Sequence, residues 1–446
     1  MGWDCLIYNA LVLTMAPGAE PLAHGYVAVK GGKIAAVGQA AALQDLPPAR
    51  ERLDVQGALL LPGLVNTHCH APMVWFRGLA DDLPLQKWLT EFIFPAEAGW
   101  LDADKVYRGA LLAAAEMIRG GITTVADGYF FEAAARQALA DAGLRAVVAQ
   151  GVVDFPAPGV PDPARNLEVA ADFLNTGADY PDRLYSAVFC HSPYTCGPQT
   201  LQKAKDLTRA RGARFFLHLA ETREEVTDLQ RRTGRSPVAY LDHLGVLDDL
   251  TVAVHAVWLS PDDQELLAHR QVKVSHCPES NLKLAAGVAP IPALLKLGVT
   301  VGLGTDGAAS NNNLDLWGEM SLAARLHKVW GRDPTLMPAA QVVALATRDG
   351  AQVLGLGQTT GTLTVGKAAD LIVVAVNQPH LTPLYDPYSH LVYAARAADV
   401  RHVMVDGRWL LSDRQFTALD WPALAASVRH HCRDLAAFCR QLRPHP

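Results

Sequence analysis

The sequence predicts a (β/α)8 barrel joined to a small β-sandwich domain formed by both ends of the chain. Three features of its 446 residues predict this. Between residues 60 and 304, eight short apolar runs alternate with segments whose apolar residues recur at helical spacing, as repeated βα units closing a parallel barrel require. The segments before residue 60 and after residue 366 read instead as short strands punctuated by turns. Each of the eight central runs also leads into a histidine or an aspartate, and the C-terminal strand ends of such a barrel converge on one face.

Taken in order, residues 1–60 hold CLIYNALVLTM, GYVAVKGGKIAAVG and RLDVQGALLLP, strand-like runs broken by Gly, Pro and Asn. Lys30-Gly31-Gly32-Lys33 has the composition of a hairpin turn. Barrel strands are expected at 60–66, 122–126, 145–153, 184–190, 214–217, 250–254, 272–275 and 299–304. Helices are expected at 105–119, 132–142, 199–210, 261–269 and 291–297, with two more at 314–329 and 339–354 after the last strand. Strand texture returns in GKAADLIVVAV from Gly366 and VRHVMVDGRWLLSD from Val400. HLTPLYDPYSH reads as a loop and 421–441 as a terminal helix. The expected division is 1–60 and 359–446 for the two parts of the β domain, the latter with the terminal helix, and 61–358 for a catalytic barrel with extra helices.

Composition narrows the function class. Half the residues are hydrophobic and 19% are charged, which suits a globular protein with a large core. A net charge of −6 without a long basic run excludes the electrostatic footprint of a nucleic-acid or acidic-membrane binder, so the expected partner is a small molecule. The first apolar run, 5–15, lacks a basic flank, is interrupted by Asn9 and is too short to span a bilayer; it reads as a strand, and the expected compartment is the cytoplasm. Seven scattered cysteines without a CxxC pair read as reduced structural thiols.

The chemistry begins in LPGLVNTHCH. Alternate strand residues share a face, so His68 and His70 can address one ion while Cys69 points away. The later runs end in Asp127, Asp154, His191, His218 with Glu221, His255, His276 and Asp306. One strand-end histidine is as readily a hydrogen-bonded structural residue, but eight polar ends in register are hard to explain as packing. Imidazole and carboxylate donors without thiolate suit zinc, iron or manganese. One divalent ion is expected on His68, His70, His218 and Asp306, with Zn²⁺ first and Fe²⁺ or Mn²⁺ as alternatives. A second ion needs a bridging group such as a modified lysine, and the fourth run ends in Cys190-His191-Ser192 instead. Trp88 and Phe92 read as packing residues.

The segments PGLVNTHCHAPM, HSPYT, HLAET, SHCPESNLKLA and GLGTDGAASNNNLDL together resemble the amidohydrolase superfamily, specifically its 5′-methylthioadenosine/S-adenosylhomocysteine deaminases, over nearly the whole chain. The resemblance implies metal-dependent hydrolysis of a 6-aminopurine nucleoside to the 6-oxo product and ammonia, and a homo-oligomer. It assigns the four ligands to the positions named above, gives Asp306 a second role as acid/base, and makes Glu221 of the HxxE pattern the proton shuttle at purine N1. His255 would hydrogen-bond the attacking water. Glu97 would hold the ribose hydroxyls, and His191 and His276 would be further substrate contacts. Larger-substrate members carry an arginine where this chain has Gln150, with Arg165 matching a second one. Losing a guanidinium removes a charge-assisted partner for the homocysteine carboxylate, which ranks methylthioadenosine and adenosine above S-adenosylhomocysteine. The alternatives are a related enzyme acting on a guanine, pterin or triazine ring, and a non-catalytic metal-binding scaffold.

Overall fold

The computed structural model describes residues 2–39, 46–180 and 182–442. At the N-terminal end, β1 (Trp3–Val12), β2 (Leu22–Lys30) and β3 (Lys33–Gln39) pair antiparallel in sequence order. Gly31 and Gly32 sit at φ 57° and 77°, so the β2–β3 turn needs two residues tolerant of left-handed backbone. β4 (Ala49–Asp54) and β5 (Leu59–Pro62) return parallel to β1.

The central strands are β6 (Leu64–Cys69), β7 (Ile122–Tyr129), β8 (Arg145–Val152), β9 (Leu184–Cys190), β10 (Phe215–Leu219), β11 (Thr251–His255), β12 (Lys273–His276) and β13 (Val301–Leu303). They pair parallel in sequence order, from β6 through to β13. The ring closes beyond β13, where the N–H groups of Thr305 and Asp306 each donate to the His68 carbonyl at 3.1 Å. Asn66 adds a side-chain bond to Thr305 Oγ1 at 2.8 Å. Phe189, Phe216, Val147 and Val254 are among the side chains that fill the interior.

The expected first barrel strand, 60–66, proves to be parts of two strands in two different sheets. β5 belongs to the terminal sheet, and β6 starts two residues after it and runs further than expected. Gly63 makes the passage possible, since a Cβ there would lie 2.0 Å from Thr123 Oγ1.

From the far end of the chain, β14 (Leu371–Val374) pairs antiparallel with β5, and β15 (Val400–Val405), β16 (Arg408–Ser412) and β17 (Gln415–Phe416) extend the edge. The result is a nine-stranded mixed sheet in the order β17-β16-β15-β14-β5-β1-β2-β3, with β4 on β1. Its core includes Ile7, Val27, Leu60 and Val373. A buried ion pair joins sheet and barrel, with Arg145 Nε donating to Asp370 Oδ2 at 2.6 Å.

The helices at Ala103–Arg119, Glu132–Ala142, Pro198–Arg209, Pro261–His269, Ile291–Lys296, Leu316–Gly331 and Trp421–Leu442 follow the sequence pattern closely. The segment expected as one helix at 339–354 is two, Ala339–Leu345 and Arg348–Val353, broken at Thr347 where φ is −135° and ψ −96°. HLTPLYDPYSH is not all loop: Pro387–Tyr393 is helical, with Asp386 capping it by accepting from the Tyr388 and Ser389 amides. Arg223–Thr233 had no visible apolar stripe because only Val226 and Leu229 are apolar; its start is set by the Thr222 cap. Among the described residues, no helix is long and apolar enough to cross a membrane.

Candidate active site

β6 delivers His68 and, one residue past its end, His70; β10 delivers His218, and the turn after β13 delivers Asp306. One donor atom from each lies within 4.8 Å of the others. Asp306 Oδ1 is 3.2 Å from His68 Nε2 and 3.4 Å from His70 Nε2, so one carboxylate oxygen and two Nε2 atoms face one another. His70 is oriented from behind by the bond between its Nδ1 and the Gly128 carbonyl, which fixes the tautomer that leaves Nε2 unprotonated.

Burial sets the protonation states. It pushes His68 down to about 4 and lowers His70 and His218, keeping all three imidazoles neutral. Burial works against the Asp306 carboxylate, but the His68 hydrogen bond and the surrounding imidazoles hold it well below the usual range. Three neutral nitrogens and one ionised carboxylate fit a divalent ion at a catalytic rather than a structural centre. Cys69 is buried between the two β6 histidines, and burial drives its thiol far up, away from the thiolate a ligand needs.

Beside this cluster, Glu221 follows the end of β10 by two residues. Its turn is pinned by Glu225, whose carboxylate accepts the Ala220 and Glu221 amides at 3.0 and 2.9 Å. Glu221 is buried, and burial raises its carboxyl, favouring the protonated form. Its Oε1 lies 3.8 Å from His255 Nε2. His255 sits at φ 70°, with Nδ1 bonded to Asn281 Oδ1 at 2.9 Å, which turns Nε2 toward the cavity. His191, driven down to about 3 chiefly by burial, lines the same cavity and is held through Nδ1 by Thr195 and Ser192.

The cavity is a cleft opening above the strand ends. Its polar floor holds His70, His218, Glu221, His255 and Asp306, and Glu97 stands on one side, accepting the Tyr129 hydroxyl. Burial pushes Glu97 up to about 7 despite that bond. The remaining wall is apolar. Leu85, Trp88, Leu89, Ile93 and Phe94 come from residues 85–97, which include a π-helical turn at Leu89–Ile93 of the kind often found at functional sites. Phe155 faces them, with its ring 5.9 Å from that of Phe94. Among the described residues lining the cleft there is no lysine or arginine.

Three expected substrate contacts lie elsewhere. Gln150 is buried in β8, and its amide donates to the Gly151 carbonyl. Arg165 is 61% exposed and closed onto Glu168 by two hydrogen bonds. His276 is fully buried against His327, 3.2 Å between Nε2 atoms. None of the three lines the cleft. Trp88, expected only to pack, contributes to the wall, whereas Phe92 does not. Sequence reasoning passed over Tyr129, Asn281 and the pair Ser280 and Ser310, although the serines lie inside SHCPESNLKLA and GLGTDGAASNNNLDL, motifs already singled out.

Comparison with known proteins agrees with this geometry. Residues 59–410 match the Amidohydrolase family. A 5-methylthioadenosine/S-adenosylhomocysteine deaminase from Syntrophobacter fumaroxidans is 47% identical, aligning 97% of this chain with 98% of its own. A 5′-deoxyadenosine deaminase from Methanosarcina mazei is 42% identical over 97% of this chain and 99% of its own. Among solved structures, a zinc-bound adenosine deaminase from Xanthomonas campestris superposes with TM-score 0.95 at 37% identity, covering 98% of this chain and 99% of that one.

Proposed function

The chain belongs to the amidohydrolase family, and from that premise we propose that it deaminates 6-aminopurine nucleosides hydrolytically, preferring those whose 5′ substituent carries no charge. The observation that carries the reading is the meeting, at one cleft, of the His68, His70, His218 and Asp306 donor set with the carboxyl of Glu221, whose burial favours its protonated form. Relatives named for methylthioadenosine, S-adenosylhomocysteine and 5′-deoxyadenosine support the substrate class.

His68, His70, His218 and Asp306 would hold one divalent ion, zinc in our reading, which when bound would lower the pKa of water to roughly 7 and so supply hydroxide near neutral pH. Asp306, ionised in its ring of imidazoles, accepts the proton that the nucleophile releases. Glu221 donates its proton to purine N1, which draws electron density from C6 and exposes that carbon to attack. His255, its Nε2 turned to the cavity, accepts a hydrogen bond from the incoming water. Asp306 passes the proton it took to the exocyclic amine, the C6–N bond breaks and ammonia leaves, and the remaining hydroxyl proton returns to Glu221 as C6 becomes the 6-oxo carbon. Glu97 accepts the ribose hydroxyls; a bare guanine, pterin or triazine ring would give that buried carboxyl no such partner. The apolar wall receives the 5′ substituent, and the lack of a lysine or arginine there gives a homocysteine carboxylate no counter-charge.

Ammonia release from a panel of adenosine, methylthioadenosine, 5′-deoxyadenosine and S-adenosylhomocysteine, with and without a chelator, tests the reading. Release with each of the first three, lost on chelation, is expected. No ammonia from any nucleoside would refute it.

A further inference from the structure

We propose that Ser280 and Ser310 are positioning residues for Asp306, clamping one of its carboxylate oxygens so that the other is presented to the metal. The inference rests on the ligand set described above. Asp306 uses its two oxygens differently: Oδ1 faces His68 and His70, at 3.2 and 3.4 Å, while Oδ2 accepts hydrogen bonds from Ser280 Oγ and Ser310 Oγ, both at 2.7 Å. Each serine has one hydroxyl proton and a second acceptor within reach, Ser310 Oγ at 3.2 Å for Ser280 and the Gly307 carbonyl at 3.1 Å for Ser310, but for both the charged Oδ2 at 2.7 Å is the nearer partner. All three side chains are buried, and Asp306 and Ser310 border the cleft.

A clamp is needed because the last torsion of an aspartate is soft and would otherwise let the carboxylate turn. The backbone at Asp306 is already committed, at φ 58° with its amide bonded to the His68 carbonyl, leaving the carboxylate orientation as the freedom to be removed. The two serines reach Oδ2 from different segments, Ser280 from the helix Pro278–Lys283 and Ser310 from the loop after β13. Glu319, itself fully buried, ties these segments together: one oxygen accepts the Glu279 amide at 3.0 Å and the other accepts Asn311 Nδ2 at 2.8 Å. Asn313 Nδ2 adds a bond to Glu279 Oε2 at 2.8 Å. The clamp is therefore braced from behind.

The test compares the parent chain with S280A, S310A, the double variant, and S275A as a control. Ser275 is an equally buried hydroxyl, paired with Thr67 Oγ1 at 2.6 Å, but no hydrogen bond joins it to Asp306. Zinc affinity of the stripped proteins is measured by competition with a chromophoric chelator, and thermal unfolding is recorded without metal. Partners that orient a metal ligand typically contribute 10- to 100-fold in affinity. Each serine variant should bind zinc roughly tenfold more weakly, with the double variant weaker still, while S275A keeps the parent affinity and all metal-free melting temperatures fall within the range set by S275A. A double variant within twofold of the parent overturns the proposal, as does S275A losing as much affinity as S280A. If the double variant does not fold, the two single variants decide by the same criterion. A parent chain that takes up no zinc would overturn the ligand set itself, and the clamp with it, which separates failure of the premise from failure of the inference.

Discussion

Replacing Glu97 with glutamine should make the protein more stable above neutral pH and a poorer enzyme for ribonucleosides. Glu97 is only 4% exposed, and burial raises its carboxyl from 4.5 to about 7 while the Tyr129 hydroxyl partly opposes the rise. In the unfolded chain the carboxyl ionises near the lower value, so between the two values the native state holds a proton that the unfolded state has lost. Stability from this group is complete below the lower value and drains away as pH rises through the higher one. At ~1.4 kcal/mol per pH unit the loss reaches about 3 kcal/mol, of which about 2.5 kcal/mol falls between pH 5 and pH 8. Glutamine keeps the shape and can still accept from Tyr129 but does not titrate. Urea unfolding of parent and variant at the same zinc concentration, at both pH values, should show the variant's advantage growing by that amount. Hydrogen bonds to a charged acceptor contribute about 1.5–3 kcal/mol, so kcat/KM for adenosine should fall roughly 10- to 100-fold in the variant, with little change for 2′,3′-dideoxyadenosine. An unchanged pH dependence of stability would refute the buried-charge argument. Equal losses on both nucleosides would refute the sugar contact.

Three further outcomes are expected. Glu221→Gln should lower kcat by ~10²- to 10⁴-fold, the usual contribution of a positioned proton donor, with metal content measured by elemental analysis unchanged; undiminished turnover with intact metal would remove Glu221 from the mechanism. Chelation should abolish ammonia release and added divalent ion should restore it, and ranking zinc, iron and manganese by restored activity together with affinity identifies the ion that this donor set prefers. Methylthioadenosine and 5′-deoxyadenosine should exceed S-adenosylhomocysteine in kcat/KM, and Leu85→Arg, which places a cation on the wall, should narrow the gap; a parent enzyme that prefers the homocysteine compound would contradict the uncharged cleft.

The cluster of His68, His70, His218 and Asp306 could be read from the sequence because barrel geometry converts a one-dimensional fact, a polar residue at the end of an apolar run, into a three-dimensional one. The same reasoning overreached at three strand ends. Asp127 turns to accept the Ala71 amide, Asp154 caps the turn at Gly197 and Thr200, and His276 faces His327. Strand-end position places a residue near the site, but its hydrogen-bond partners decide where it points. Gln150 and Arg165 differ again: Gln150 lies in β8 as expected but its amide turns to the Gly151 carbonyl, and Arg165 was placed by matching a loop whose register the sequence does not constrain. Gly63 was passed over as the switch between two sheets because no polar side chain interrupts 60–65, although Pro62-Gly63 is a chain-breaking pair and the approach of Thr123 requires a residue without a side chain there. The apolar wall was missed because residues 85–97 combine short helical pieces with a π-helical turn, which blurs the 3.6-residue period that marks a regular amphipathic helix.

Reaction and substrate choice occupy different parts of this chain, and that separation has a consequence. The groups that handle protons and hold the ion stand on strand ends tied to one another by the barrel, so moving any of them disturbs its neighbours. Glu97, Phe94 and Ile93 instead share one face of a single helical stretch, three and four residues apart, so the proposed sugar contact and the proposed wall for the 5′ substituent come from one element. No ligand of the proposed metal lies in that stretch. Substitutions there can change which nucleoside fits while His68, His70, His218 and Asp306 remain in place. The HxH pair on β6 therefore identifies the kind of reaction, and the side chains of residues 85–97, with Phe155 opposite, carry the information about what is deaminated.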